Sequence, residues 1–323
     1  MKKTFSFLFA CLFVLCGCSK DDDHLPPVDD VASVITDLGF RGYCLYNFDT
    51  NGDGKISMDE AKAVTKITTL YPATGGFYWD PKSMKGIEYF TELTDLILGG
   101  SITELNLSKN NKLKLLHFYS KQIESLDLSG NIELETLILD TPSLVDLNLS
   151  KCASLKEIRC TDIQLTKLDV SKNSQLTVLL CQRNALMKLD VSNNPELTKL
   201  ICCNNKIGEL DLSKNLKLVE LDCSSNRLNV LETNNNPNLE ELHCSGNNLK
   251  ELDISKNIKL KTLMCSYNAL TELDISNNRA LTFLSCGNGN RNDNFKWIWV
   301  WPSFIPNWIH ISKDSCTEFK IKS

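Results

Sequence analysis

The sequence predicts a β-solenoid, a coil of 21-residue turns whose short strands stack into one parallel sheet, mainly β with little helix. Three observations carry the prediction. Cysteine recurs at Cys160, Cys181, Cys202, Cys223, Cys244, Cys265 and Cys286, each 21 residues after the last. Asparagine recurs with the same step in two columns, Asn184, Asn205, Asn226, Asn247 and Asn268, and Asn173, Asn194, Asn215, Asn236, Asn257 and Asn278. Leucines precede each cysteine at fixed offsets, as in Leu239, Leu242 and Cys244. A turn this short cannot bury a core alone and does so only against its neighbours.

Each residue type suits its place. Leu239, Leu242 and Cys244 have strand spacing, and a thiol is a small soft hydrophobe that fits where the strand bends into a corner. An inward asparagine satisfies backbone groups that a turning chain leaves unpaired. Segments such as Leu252-Asp253-Ile254-Ser255 alternate apolar and polar, which predicts a second, outer strand rather than a helix. The frame LxxLxL(C)xxNxL is that of a leucine-rich repeat. Over roughly residues 84–290 the chain resembles the cysteine-ladder internalins and the related leucine-rich lipoproteins of the Bacteroidetes. That resemblance implies adhesion or recognition through the concave sheet, without catalysis. Frames begin at Leu93, Leu113, Leu134 and every 21 residues to Leu281. They predict about ten layers, a stack on the order of 45 Å long.

Residues 1–17 read as a leader, set aside from the fold. Lys2 and Lys3 precede an apolar run, Phe5 to Cys16, that is short for a bilayer span. The run ends in Leu15-Cys16-Gly17-Cys18, which resembles a bacterial lipobox. The resemblance implies cleavage before Cys18 and lipidation of its thiol; the alternative is an ordinary secretory signal. Residues 18–30 form a tether with Pro26-Pro27, reaching about 20 Å if flexible. Its start, Ser19-Lys20-Asp21-Asp22-Asp23, resembles the acidic signal that sends Bacteroidetes lipoproteins to the outer face of the outer membrane. A merely solvated linker is the alternative. Contact with the membrane is expected through the lipid alone.

Residues 31–92 form the N-terminal cap. Apolar residues from Val31 to Phe48 predict a helix, broken near Gly39 or Gly42. The loop at 49–60 then resembles an EF-hand, with Asp49, Asn51 and Asp53 at its first, third and fifth positions and Gly54 at its sixth. Lys55 would offer a carbonyl, Ser57 a direct or water-bridged contact, and Glu60 a bidentate carboxylate. One Ca²⁺ is expected; the bland reading is an acidic turn before a helix. Met58 to Thr69 is expected to form the exiting helix. Since only one such loop is present, its expected role is to pin the cap over the first core layer rather than to switch. Residues 66–89 read as irregular, and Met84 to Leu93 resembles the entry half-turn of internalin-type repeats.

Residues 93–290 hold the repeats. Strand residues between the inward ones face the concave surface, where large apolar groups gather between Ile97 and Ile201. Leu98, Phe118 and Leu139 occupy the cysteine column there, and Pro142 and Ile163 the asparagine column, so the consensus breaks in this half. Leu115, His117, Tyr119, Ile138, Arg159, Val178, Leu180 and Ile201 are the expected core of a patch for a protein ligand, from a host or another bacterial surface. The alternative is scattered surface hydrophobics on a flat sheet. An acidic column, Asp127, Asp169, Asp190, Asp211, Asp253 and Asp274, runs along the outer segments. It reads as acceptors for turn hydrogen bonds or partners of Lys167 and Lys188, and less readily as a cation ladder. Residues 291–323 form the C-terminal cap, in which Trp297, Trp299, Trp301 and Trp308 either cover the last layer or offer a glycan a stacking platform.

Composition narrows the classes. The formal charge is −5 and no basic patch alternates with aromatics, so nucleic acid is not expected as a partner. The chain has 14 cysteines, yet ladder cysteines on parallel strands sit too far apart for disulfides, so free buried thiols are predicted. No CxxC pair suggests zinc. Beyond the leader the histidines are His24, His117, His243 and His310, and His117 and His243 fall six repeats apart, roughly 30 Å. No nucleophile elbow, phosphate loop or HExxH stretch occurs, so catalysis is not expected.

Overall fold

The computed structural model describes residues 25–69, 80–287, 295–304, 310–313 and 317–322. The leader, Cys18 and Trp308 therefore lie outside the described residues. Within them the chain is a parallel-strand solenoid. Its strands are β1 (Lys66–Thr68), β2 (Asp95–Gly99), β3 (Leu115–Tyr119), β4 (Thr136–Asp140) and β5 (Glu157–Cys160). Then come β6 (Val178–Leu180), β7 (Lys199–Ile201), β8 (Glu220–Asp222), β9 (Glu241–His243) and β10 (Thr262–Met264). The last are β11 (Glu272–Asp274), β12 (Phe283–Ser285), β13 (Trp297–Val300), β14 (His310–Ser312) and β15 (Glu318–Ile321). Twelve of them form one sheet in the order β1 to β10, β12, β14. The ten frames account for β2 to β10 and β12; β1 and β14 are strands that the caps add at either end.

Pairing is in register with the sequence step, so like residues stack. Leu116, Leu137, Ile158, Leu179, Leu200, Leu221, Leu242, Leu263 and Leu284 face one another strand by strand and are fully buried. The cysteine column lies beside them. Apart from Cys286, the cysteines among the described residues are free thiols, and only Cys203 is more than slightly exposed. Burial pushes the Cys160 thiol up to about 12 and holds Cys181, Cys202, Cys223, Cys244 and Cys265 well above the ordinary value, so these are inert core groups.

Both asparagine columns close the corners. The Asn205 amide donates to the carbonyls of Cys181 and Cys202, each at 3.0 Å, and its Oδ1 accepts from the Leu186 amide at 3.0 Å. Asn184, Asn226, Asn247 and Asn268 repeat the pattern one layer apart. At the other corner Asn215 donates to the carbonyls of Val191 and Asn194 at 3.0 and 2.9 Å, and Asn194, Asn236, Asn257 and Asn278 do likewise. The residue before each first-column asparagine turns left-handed: Arg183, Asn204, Ser225, Gly246 and Tyr267 have φ of 55, 56, 53, 69 and 58°. Only one of these is glycine.

The outer segments differ from expectation. Apart from β11 and an isolated bridge between Asn106 and Asp127, no ladder joins them among the described repeats. The acidic column serves the turns. Asp127, Asp169, Asp190, Asp211 and Asp253 each take the amide of the serine two residues on, at 2.8 to 2.9 Å, as Asp274 does within β11. Asn106 and Asn148 do the same without charge. Lys167 pairs instead with Asp146, at 3.3 Å.

Those serine contacts hold all five carboxyls below their ordinary value of 3.8. A depressed folded-state pKa adds stability above the unfolded value and loses it as pH falls through the folded one. Melting temperature should therefore hold from pH 7 to about 5 and fall below about pH 4. The triple change Asp169→Asn, Asp190→Asn, Asp211→Asn keeps each acceptor, as Asn106 and Asn148 do, and should flatten that fall when melting is followed by circular dichroism.

The N-terminal cap corrects two expectations. The helical run breaks earlier than Gly39 or Gly42: a single 3₁₀ turn, Val31–Ser33, precedes α1 (Leu38–Phe48), which contains both glycines. Asp37 sets the start by accepting the Phe40 amide at 2.8 Å. The exiting helix α2 stops at Met58–Ala63 rather than reaching Thr69, because residues 66–68 become β1. Pairing with β2 then buries Ile67 completely.

Candidate functional site

Two features qualify, the acidic loop of the cap and the concave sheet. The loop joins α1 to α2. Asp49 turns inward, its Oδ1 accepting the amides of Gly52 and Asp53 at 2.7 and 3.2 Å and its Oδ2 that of Gly54 at 2.9 Å. Asn51 Oδ1 takes the Asp53 amide and Asp53 Oδ1 the Lys55 amide, at 2.8 and 2.9 Å. Gly54 has φ +78°, where a side chain would be strained. Ser57 and Glu60 form a capping box that starts α2. Glu60 spends both oxygens: Oε2 on the Ser57 amide and hydroxyl, Oε1 on the Thr50 amide and hydroxyl. Those contacts, the Ser57 amide first, bring its carboxyl down to about 2.

Asp49, Asn51, Asp53, Lys55, Ser57 and Glu60 thus lie on one short loop, and their side-chain and carbonyl oxygens are hard donors of the kind calcium takes. In this conformation no three His, Cys, Asp or Glu side chains among the described residues converge as a ligand group. Glu60 would have to leave Thr50 to join a metal. The loop is tied to the start of the cap. The Ile56 carbonyl accepts the Val31 amide at 2.7 Å, and the Ile56 amide donates to Asp30 at 3.0 Å, so its backbone is satisfied without a second loop. Tyr43 of α1 accepts the Thr68 amide of β1 at 3.0 Å.

On the concave sheet the structure brings the predicted patch residues together. Ile97, His117, Ile138, Arg159, Leu180 and Ile201 are register partners across β2 to β7 and form an unbroken column. Leu115 and Val178 lie beside it, and Tyr119 at its edge. All are partly accessible; Tyr119 is 36% exposed. Arg159 pairs with Glu157 and divides the patch into two apolar halves, while His117 meets Asp140 at 3.1 Å.

Apolar side chains more exposed than these lie elsewhere. Ile132, Leu216 and Ile258 are 59, 55 and 60% exposed, on a corner ridge that continues through Pro195 and Pro237. The same 21-residue step was the sequence signal for it, but it falls between the inward frame and the concave columns. In the C-terminal cap, Trp301 is buried and packs edge-on against Phe304 at 4.9 Å, with Phe295, Ile298 and Val300 covering the last layer. Trp297 and Trp299 point outward from the small sheet β11-β13-β15. Lys320 Nζ sits 3.2 Å from the Trp297 ring centroid, and the Trp299 indole donates to Glu272 at 2.9 Å.

With this geometry in place, likeness to solved structures can be read. The functional domain of InlJ from Listeria monocytogenes, which includes a cysteine ladder, superposes with a TM-score of 0.76 at 31% identity, over 89% of this chain and 62% of that one. The chain folds as an internalin-type leucine-rich-repeat solenoid. It spans less than two thirds of the InlJ domain. An internalin, inlF, also from Listeria monocytogenes, matches with a TM-score of 0.63 at 18% identity over 91% of this chain and 97% of that one. The Drosophila Toll–Spätzle complex matches at 0.52 and 17%, over 73% and 37%, and like inlF speaks to the fold alone. No protein-family model and no curated protein matches the chain. The solenoid and its cysteine ladder are therefore shared with a bacterial internalin domain, a fold consistent with recognition of proteins or adhesion.

Proposed function

We propose that this leucine-rich-repeat chain is a non-catalytic surface recognition module, an adhesin that binds a protein partner through the N-terminal half of its concave sheet. One observation carries the reading: the partly exposed column Ile97, His117, Ile138, Arg159, Leu180 and Ile201, in register across six strands and apolar at four of its six positions. Leu115, His117, Tyr119, Arg159 and Val178 complete the surface. Lipidation of Cys18 would anchor the domain at the outer membrane, on its outer face. One calcium ion held by Asp49, Asn51, Asp53, Lys55, Ser57 and Glu60 would pin the cap to β1.

The test is a binding screen of the full chain against host and bacterial surface proteins and against glycans, run beside Ile138→Asp, Leu180→Asp. Both positions are partly exposed, so the double change should leave the melting temperature within a few degrees while a protein hit weakens by 100-fold or more, roughly the loss of a hot-spot pair. An unchanged protein hit sinks the concave patch. A second reading, glycan binding by the cap, has Trp297 and Trp299 side by side in its favour, and Lys320 over the Trp297 face against it. Glycan hits indifferent to the double change would support it.

A further inference from the structure

We infer that the concave face takes a protein segment of fixed polarity: an apolar stretch followed directly by lysine or arginine, laid across the strands with its basic end over β8 and β9. The inference rests on the concave sheet being the binding surface, and it names the partner's chemistry. Along the central column the apolar run ends at Ile201 on β7 and gives way to Asp222 on β8 and His243 on β9, their direct register partners. Glu220 and Glu241 lie beside them on the same strands.

Counting charges along the concave columns from β2 to β9 shows which are spent. The acids are Asp95, Asp140, Glu157, Glu220, Asp222 and Glu241; the bases are Arg159 and Lys199. Arg159 is taken by Glu157, Lys199 by Glu220 at 2.6 Å, and Asp140 is met by His117. Among the described residues no lysine or arginine pairs with Asp222 or Glu241. Asp222 accepts only local groups, the Ser224 amide at 2.9 Å and the Cys203 thiol, which burial and then that carboxylate push up to about 11. Two polar atoms of the same face, Gln182 Oε1 and His243 Nε2, are buried without a hydrogen-bond partner. Such groups are normally satisfied, and a partner's cationic or main-chain donor would satisfy Gln182.

Spacing gives the order of the segment. Asp222 lies one strand from Ile201, about 5 Å, and Glu241 three strands from Leu180, about 14 Å. An extended chain covers that distance in roughly four residues. A segment that sets apolar side chains over Leu180 and Ile201 therefore brings its cations to Asp222 and Glu241 two to four residues later. An acidic segment, or an anionic membrane, meets like charge at the same place.

Panning random 12-residue phage-displayed peptides on the full chain tests this directly. The expected winners carry apolar residues followed within about four positions by two or more lysines or arginines. Synthetic copies should lose roughly tenfold in affinity when salt rises from about 50 to about 500 mM. Asp222→Asn, Glu241→Gln should remove both that salt dependence and the basic preference, and Leu180→Asp should abolish binding. Leu180→Ser serves in its place if the aspartate variant melts early. Winners that need Leu180 but show no basic preference overturn the inference and leave the concave surface standing. A basic preference that survives Asp222→Asn, Glu241→Gln overturns it too. Absence of any peptide that depends on Leu180 overturns both readings.

Discussion

Asn226→Ala should destabilise the solenoid by on the order of 3 kcal/mol. The asparagine amide donates to the carbonyls of Cys202 and Cys223 at 3.0 and 3.1 Å, and its oxygen accepts the Ile207 amide at 3.0 Å. Alanine leaves the Ile207 amide inside the corner without a partner and takes from the Cys202 and Cys223 carbonyls one of two donors each, Asn205 and Asn247 remaining. The orphaned amide costs about 1–3 kcal/mol and each lost bond about 1 kcal/mol. The loss is also local, because the bonds to Cys202 and Ile207 reach only the adjacent layer and that to Cys223 stays within the repeat. Urea unfolding should show it as a lower midpoint, and amide hydrogen exchange should quicken first at Ile207 and its neighbours. Asn193→Ala, at an exposed position in another repeat, should change stability by less than about 0.5 kcal/mol. Equal effects from the two would contradict this account of the corner.

Glu60→Gln separates the two tasks proposed for that side chain. Glutamine can still close the capping box with Ser57 and gives up only the exposed contacts to Thr50, so the calcium-free protein should melt slightly below the parent. It cannot offer a bidentate carboxylate, so the gain from calcium should largely vanish. For the parent, calcium at 100 times its dissociation constant adds about 2.7 kcal/mol, several degrees of melting temperature, and chelator removes it. The comparison is a pair of melting curves for each protein, with calcium and with chelator. If the parent does not respond to calcium, loop 49–60 is only an acidic turn. If the variant responds as fully as the parent, Glu60 is no ligand. Strand β1 should follow the cap, since Tyr43 of α1 holds the Thr68 amide and the Thr65 carbonyl accepts the amides of Thr94 and Asp95.

Much of this molecule was legible because its repeat is strict. With a constant step of 21 from Leu113 onward, parallel strands can only stack in register, so the identity of one layer predicts the next. The inward leucines, the free cysteines and both asparagine columns followed from that alone. The concave columns followed too, since side chains alternate along a strand. Less regular segments were harder to read. Residues 64–69 looked like the end of a helix, yet Ile67 is buried as part of β1 because the first layer of the stack needed covering. The outer segments alternate like strands, yet apart from β11 and one bridge no ladder joins them among the described repeats, and their aspartates and asparagines take serine amides of their own turns. Alternation reports which side chains face inward, not where the backbone donors go.

Sequence by itself determined the repeat length, the contents of each core layer and the type of oxygen donors on loop 49–60. Those depend on local spacing and on the burial demands of single residues. Tertiary structure decided matters that depend on neighbouring layers. Residues as different as Arg183, Asn204, Ser225 and Tyr267 adopt the left-handed turn usually left to glycine, because the next asparagine is held by carbonyls from two layers. Arg159 and Lys199 are claimed by Glu157 and Glu220, which leaves Asp222 and Glu241 as the acidic end of the concave face. A charge is free or spent according to what lies one strand away, about 5 Å in space and 21 residues along the chain.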